Sequence, residues 1–127
     1  MLNKHRWLLL LILLLAVALR IYRLDAQSIW YDEGLSIQIA RQDPAQAITL
    51  SAMTDHPPLH TLLLGIWMRL AGESDFVVRY FSVFCGVLVV ALTYTLGKRY
   101  DERAGLIAAG LMAIAPLAVY YSQETRG

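Results

Sequence analysis

Residues 29–34 read Ile29-Trp30-Tyr31-Asp32-Glu33-Gly34 and place two adjacent carboxylates directly after a long apolar run. The aromatic pair before them suits a membrane interface, where an amphipathic ring keeps its body in lipid and its polar edge in water. Ionisable groups this close to hydrocarbon are costly, so they are candidates for function. The simpler alternative is that Asp32 caps a helix and Glu33 lies in its first turn, where the helix dipole favours a carboxylate.

The composition of the chain favours an integral membrane protein. Its 127 residues are 57% hydrophobic and 17% charged, whereas charged residues make up about a quarter of an ordinary soluble domain. The apolar residues also come in long blocks, as membrane helices require. The net charge of +1 gives no reason to expect nucleic acid as a partner. The single Cys85 cannot form an intrachain disulfide, and nothing near it suggests a metal site.

The first membrane span is predicted at residues 7–23, an apolar run that follows a basic segment, residues 4–6. Such a helix is about 25 Å long and crosses the hydrocarbon if Arg20 and Arg23 extend their charged ends to the surface. A cleaved signal peptide is the alternative, with residues 16–18 as its cleavage site. The apolar character continues past that site and further membrane segments follow, which favours a retained helix.

Residues 24–75 form a polar region in which short helices are predicted. The first covers residues 33–41, where apolar and polar side chains mix. The second covers residues 44–53, because Asp43 before Pro44 is a helix start signal, with Asp as N-cap and Pro in the first turn.

The last helix of the polar region, residues 57–71, is strongly apolar but is predicted to lie in the interface. Its length is about 22 Å, which is short of the roughly 30 Å that a crossing needs. It also carries His60 and Arg69. We therefore expect it to lie along the membrane surface or to dip into it.

Two further spans are predicted at residues 76–97 and 104–121, which makes the chain a single membrane domain with three crossings. In the last span Gly105, Ala109 and Ala113 recur at a spacing that lets another helix pack closely. Pro116 should kink this helix or loosen its last turns.

The span count has a consequence for the carboxylates. If residues 57–71 do not cross, two crossings separate Asp32 from Glu124, so both lie on the same side of the membrane. If they do cross, the two carboxylates lie on opposite sides. The basic flanks at residues 4–6 and 98–99 only weakly favour placing those ends in the cytoplasm.

Four polar groups then lie at the membrane edge, and each has a simple structural explanation. They are Asp32-Glu33, Asp55-His56, Arg79, and Gln123-Glu124 with Arg126. Asp55 or His56 could cap the helix that Pro57 starts, and Arg79 could anchor a span. Together, acids, a histidine and arginines at one interface are suited to binding a phosphate and orienting a hydroxyl or amine. The candidate residues are, as catalytic groups, Asp32 and Glu33, and, as substrate-binding groups, His56, Arg79, Glu124 and Arg126.

The order of these motifs resembles the start of membrane glycosyltransferases of the GT-C type, the protein O-mannosyltransferase and aminoarabinose-transferase-like group. The matching pieces cover nearly the whole chain. They are Tyr31-Asp32-Glu33-Gly34, His56-Pro57-Pro58-Leu59-His60, Arg79 with Ser82, and Pro116 followed by Tyr120-Tyr121-Ser122-Gln123-Glu124-Thr125-Arg126. The resemblance implies an all-α integral membrane fold, the N-terminal part of a GT-C helical module with juxtamembrane helices in its first external loop.

The resemblance also implies a function. It implies transfer of a sugar from a polyprenyl-phosphate donor to a lipid, protein or glycan acceptor at the outer face of the plasma or inner membrane. Asp32 would be the catalytic carboxylate, with Glu33, His56 and Glu124 lining the site. Arg79 matches an arginine that these enzymes need, in a role that could be structural. Some members bind a divalent metal near the site and others do not, so the cofactor stays open.

Family members are several times longer, so the chain is expected to be an N-terminal fragment that lacks activity alone. Two other classes stay open. One is a small non-catalytic membrane protein that packs against a partner through its small-residue face. The other is a fragment of a transporter, which would carry charges near the middle of its spans.

Overall fold

The computed structural model describes residues 3–22, 24 and 31–124. Within these residues the regular structure is entirely helical, which confirms the all-α prediction. The helices are α1 (Lys4–Ile21), α2 (Tyr31–Ala40), α3 (Pro44–Met53), α4 (Pro58–Ala71), α5 (Asp75–Gly97), α6 (Glu102–Ile114) and α7 (Pro116–Ser122).

The chain divides into two compact units. The first unit comprises residues 1–22 and 83–123, and the second comprises residues 23–82 and 124–127. Helix α5 begins in the second unit and ends in the first. The assignment of all 127 residues to one membrane domain stays a prediction.

The core of the first unit forms where α6 packs against α1. Ala109 and Ala113 of α6 are fully buried together with Ala16 of α1. Gly105 is also buried, and a Cβ there would lie 2.7 Å from the backbone nitrogen of Lys98, so no larger residue fits. Small side chains let the helix backbones approach closely. The small-residue face of α6 is therefore covered within the chain itself.

Helices α6 and α7 meet at a sharp break. Their axes are bent by 60° at Ala115, and Pro116 is the first residue of α7. Proline has no N–H to continue the α6 hydrogen bonds, and it pushes the preceding residue out of the helical region. Ala115 accordingly has an extended ψ of 119°. The kink predicted at Pro116 is confirmed.

The second unit is built from α2, α3, α4 and the start of α5. Its core contains Ile37 of α2, Leu64 and Met68 of α4, and Val78 and Phe81 of α5. The helix predicted at residues 44–53 has those same bounds, and the other two differ from their predicted starts by one or two residues.

Of two capping predictions for the second unit, one is confirmed and the other is wrong. Asp43 is the N-cap residue of α3 and Pro44 starts the helix, although the Asp43 side chain makes no capping hydrogen bond to the residues that the structure describes. The residue at the N-cap of α4 is Pro57, not Asp55 or His56. A proline here sets the extended backbone before the helix without any side-chain bond.

Among the residues that the structure describes, one helix, α5, is long and apolar enough to cross a membrane. The bent pair of α6 and α7 would count as a second if it forms one crossing. Helix α1 carries Lys4, Arg6 and Arg20 within its 18 residues, more charge than a crossing helix usually holds. The count of three spans therefore stays a prediction, as does the interfacial position of α4.

The expectation that Arg20 extends to the membrane surface is wrong. Its side chain is 1% exposed and lies inside the first unit. The reason is a set of oxygen acceptors that α6 and α7 present to it. Arg23 lies outside the described residues.

Candidate active site

The first turn of α2 carries the two adjacent carboxylates. Helix α2 begins at Tyr31, so Asp32 and Glu33 both lie in its first turn. The Glu33 side chain is buried on the same face as Ser36, Ile37 and Ala40, whereas the Asp32 side chain is exposed. This spacing is that of one helical face. The two neighbouring carboxylates thus differ in environment: that of Asp32 faces solvent and that of Glu33 is buried.

Glu33 forms a buried, two-point ion pair with Arg79 of α5. Arg79 Nε donates to Glu33 Oε1 at 3.1 Å, and Nη2 donates to Oε2 at 2.8 Å. Both side chains are at most 4% exposed. The planar guanidinium matches the carboxylate geometry. Because an unpaired buried charge is very costly, each residue holds the other in place.

Arg79 also joins other parts of the second unit. Its Nη1 donates to the Leu24 carbonyl at 2.9 Å. The carboxylates of Asp75 and Glu124 are close enough for their charges to act on the guanidinium. Glu124 is half-buried and belongs to the same unit as Glu33. Arg79 therefore bonds to the start of α2 and to Leu24 before it, and its charge interacts with that of Glu124.

His56 lies in the tight turn between α3 and α4. Its Nδ1 is 2.8 Å from the Thr54 carbonyl, and its backbone N–H donates to the Ser51 carbonyl. Asp55 before it has a positive φ of 55°, a conformation that aspartate adopts more readily than most residues. The turn fixes the direction in which α4 leaves α3.

His60, in the first turns of α4, is a residue whose environment the sequence did not reveal. Its ring packs edge-on against Phe81 with 5.7 Å between ring centroids. Its Nε2 is buried without a hydrogen-bond partner among the described residues. Burial, and secondarily the nearby His56, lowers the pKa of His60. The neutral imidazole is therefore favoured.

The six candidate residues are not all brought together by observed contacts. Glu33 and Arg79 are in contact, and Glu124 acts on Arg79 through its charge. The observed partners of His56 lie in its own turn. Arg126 lies outside the described residues. Across residues 3–22, 24 and 31–124, no group of three or more acidic, histidine or cysteine side chains could hold a metal ion.

Sequence reasoning also missed the role of Arg20, whose partners include Ser122. The signal was present, because Arg20 is the charge that interrupts the first apolar run. A charge inside an apolar segment either extends to the surface or finds buried partners. The sequence could not show that partners exist about a hundred residues away.

Comparison with known proteins places the chain in a family. The profile of the family described as dolichyl-phosphate-mannose-protein mannosyltransferase matches residues 55–126, more than half of the chain. No curated protein and no solved structure matches. The matched segment contains His56, Arg79 and Glu124, whereas Asp32 and Glu33 precede it. The chain belongs to the dolichyl-phosphate-mannose-protein mannosyltransferase family, whose members are membrane glycosyltransferases of the GT-C type.

Proposed function

We propose that this chain carries the catalytic carboxylate of an enzyme that transfers a sugar from a polyprenyl phosphate to a lipid, protein or glycan acceptor. The observation that carries the proposal is the buried pair of Glu33 and Arg79. It joins the acidic turn of α2, outside the segment that matches the family, to an arginine inside that segment. This contact supports the proposal that the two adjacent carboxylates act at the same site as residues of the matched segment.

Asp32 is the group that accepts the proton in this proposal. An acceptor hydroxyl or amine attacks the anomeric carbon of the sugar, and the bond from that carbon to the phosphate oxygen breaks. The polyprenyl phosphate leaves with the bonding electrons, and the acceptor proton goes to the Asp32 carboxylate. An exposed side chain on a fixed helical turn can reach an incoming acceptor, as a general base must.

Glu33 and Arg79 hold that turn in place. Both Glu33 oxygens accept hydrogen bonds from Arg79, so the pair is better suited to fixing the start of α2 than to taking a proton. Rigid support of a reacting group saves the cost of orienting it during the reaction. The charge of Arg79 is offset by Glu33. We therefore expect other cations, with Arg126 as the candidate, to bind most of the phosphate. His56 and Glu124 line the acceptor side.

The enzyme acts within a membrane, with the polar region that carries Asp32, residues 24–75, on its outer face. Large apolar side chains of α1 are exposed, among them Leu11 and Leu14 at 59% and 57%. Apolar surface of this extent needs a cover, and lipid supplies one for a chain whose family is membrane-embedded. The multi-pass arrangement and the outer-face site belong to the proposal.

The alternative of a non-catalytic protein that packs through its small-residue face loses its main support. Ala109 and Ala113 of that face are fully buried within the first unit. The face is thus unavailable to a partner in this conformation. A specific observation that favours transport is also lacking among the described residues.

The proposal is tested by comparing sugar donors. The protein that carries this chain is purified, placed in liposomes, and given one labelled sugar either on a polyprenyl phosphate or on a nucleotide. Transfer to an acceptor peptide or lipid from the polyprenyl phosphate alone is the expected result. Transfer from the nucleotide sugar alone, or no transfer from mannosyl, glucosyl and aminoarabinosyl polyprenyl phosphates by folded protein, would contradict the proposal.

A further inference from the structure

Arg20, near the end of α1, is a buried cation whose hydrogen-bonding partners are neutral oxygens. Its Nε donates to Ser122 Oγ at 3.1 Å. Its Nη1 donates to the carbonyls of Ala113 at 2.9 Å and Ala16 at 3.2 Å, and Nη2 to that of Met112 at 3.3 Å. Among the described residues, no carboxylate forms an ion pair with it. Carbonyl dipoles and a hydroxyl therefore stabilise the charge.

The break between α6 and α7 explains why these carbonyls accept from Arg20. In a continuous helix the Met112 carbonyl would accept from the N–H of residue 116, but that residue is Pro116, which has none. The carbonyl of Ala113 is likewise one of the last four of α6, which lack helical partners. The guanidinium replaces the missing donors, and a cation at a helix C-terminus is favoured by the helix dipole.

A second contact runs in the opposite direction. The Gln123 side-chain amide, directly after α7, donates through Nε2 to the carbonyls of Leu19 at 3.2 Å and Tyr22 at 3.0 Å. Leu19 lies in the last turn of α1, and Tyr22 is the C-cap residue of that helix. The end of α1 thus supplies a side chain to the free carbonyls of α6, and the residue after α7 supplies one to the carbonyls at the end of α1. We call Arg20, Ser122 and Gln123 the helix-end clasp.

The clasp is tightly packed against Gly86 of α5. A Cβ on Gly86 of α5 would overlap the Ser122 hydroxyl and lie 2.9 Å from Arg20 Nε. Ser122 Oγ also donates to the Ala118 carbonyl, which ties it to α7. The guanidinium reaches several acceptors at once because its donors form a rigid fork, which a lysine ammonium cannot reproduce.

We propose that Arg20 is a positioning residue for the enzyme. By holding the ends of α1 and α7 together, it fixes the point from which the chain leaves α7, and Glu124 is the next residue after Gln123. Arg20 itself does not touch the reacting groups. Its effect on sugar transfer rests on the function proposed above, whereas its effect on the position of residue 124 does not.

The test measures the exposure of residue 124 directly. Cys85 is replaced by alanine and Glu124 by cysteine in the protein that carries this chain, and labelling by a membrane-impermeant maleimide is timed. R20M is expected to raise the labelling rate severalfold, and R20K to give an intermediate rate. R99M is the control, because Arg99 is an exposed arginine outside the clasp. Equal rates in R20M and R99M would overturn the proposal.

Transfer is measured in parallel with Glu124 in place and at matched protein amounts. R20M should lower kcat more than it changes KM, and R20K should restore part of kcat. Faster labelling with unchanged transfer would remove Arg20 from the positioning role. If R20M does not reach the membrane, the labelling rates of R20K and S122A are compared with that of R99M instead. Rates equal to that of R99M in both variants would overturn the proposal. If even the unaltered protein transfers no sugar, the proposed function fails while the labelling result still decides the clasp.

Discussion

Arg79 and Glu33, 46 residues apart in the sequence, form a buried ion pair with Nη2 and Oε2 2.8 Å apart. The pair connects α5 to the first turn of α2, which also carries Asp32. A pair buried to this degree contributes less through its attraction than it would cost if one partner were lost. The pair is therefore a fixed point of the second unit.

The first prediction concerns the stability of this pair. E33L leaves the Arg79 charge buried without its carboxylate, so it should destabilise the protein by about 3–5 kcal/mol. E33L combined with R79M removes both charges and should cost clearly less than the sum of the two single changes. Thermal unfolding in detergent measures each variant.

The control for this prediction is an exposed pair in the same unit. Arg41 and Glu73 are 3.0 Å apart, with side chains 51% and 52% exposed. R41M should change stability by less than about 1 kcal/mol, because water screens exposed charges. Equal losses of stability in E33L and R41M would show that burial does not make the loss of Glu33 more costly.

The second prediction separates a catalytic from a structural role of Asp32. D32N keeps the size of the side chain and removes its charge, which in the first turn of α2 should cost at most about 1 kcal/mol of interaction with the helix dipole. If Asp32 accepts the proton, transfer should fall by at least roughly 10²-fold, with little loss of protein from the membrane. Transfer from a polyprenyl-phosphate sugar is measured at matched protein level. Near-normal turnover would remove Asp32 from the catalytic residues.

The third prediction compares two helical glycines. In G86A the new methyl group overlaps Ser122 and crowds Arg20, so the protein should lose about 1–3 kcal/mol. In G110A the methyl group meets no atom within 4 Å, so better helix propensity should stabilise α6 by up to about 1 kcal/mol. Shifts in unfolding temperature measure both. Shifts of the same sign and size would mean that Gly86 is not confined by the clasp.

The fourth prediction concerns pH. The pKa of His60 is lowered from its usual 6.5 by burial and by His56, so the unfolded chain binds this proton more readily than the folded one. The contribution to stability is present above pH 6.5 and is lost as the pH falls below it. H60Q should unfold with a weaker dependence on acid pH, measured between neutral and mildly acidic buffer. An unchanged slope in H60Q would assign the acid sensitivity to other groups.

The fifth prediction concerns the side of the membrane. In a background without Cys85, cysteines placed singly at positions 32 and 124 should react with an impermeant maleimide from the same side. The reason is that α4 is expected to stay in the interface, which leaves two crossings between the positions. Reaction from opposite sides would contradict both the topology and a shared site.

Local patterns in the sequence were sufficient for most of the helices. Pro44 marks the start of α3, the apolar block gives α5, and Pro116 gives the break after α6. These features depend on neighbours within a few residues, because proline geometry and helical spacing are local properties. The motifs around His56, Arg79 and Glu124 were also sufficient to suggest the family that the comparison shows.

Only the tertiary structure decided what the charged residues contact. Adjacent in sequence, Asp32 is exposed and Glu33 is buried against Arg79. Arg20, which was expected at the membrane surface, is buried because Pro116 frees carbonyls of α6 that lie 92 and 93 residues away. A buried charge is stable only where the fold supplies partners, and those partners come from distant segments. The sequence thus identifies the charged residues that matter, but the packing of the helices decides which partner each of them has.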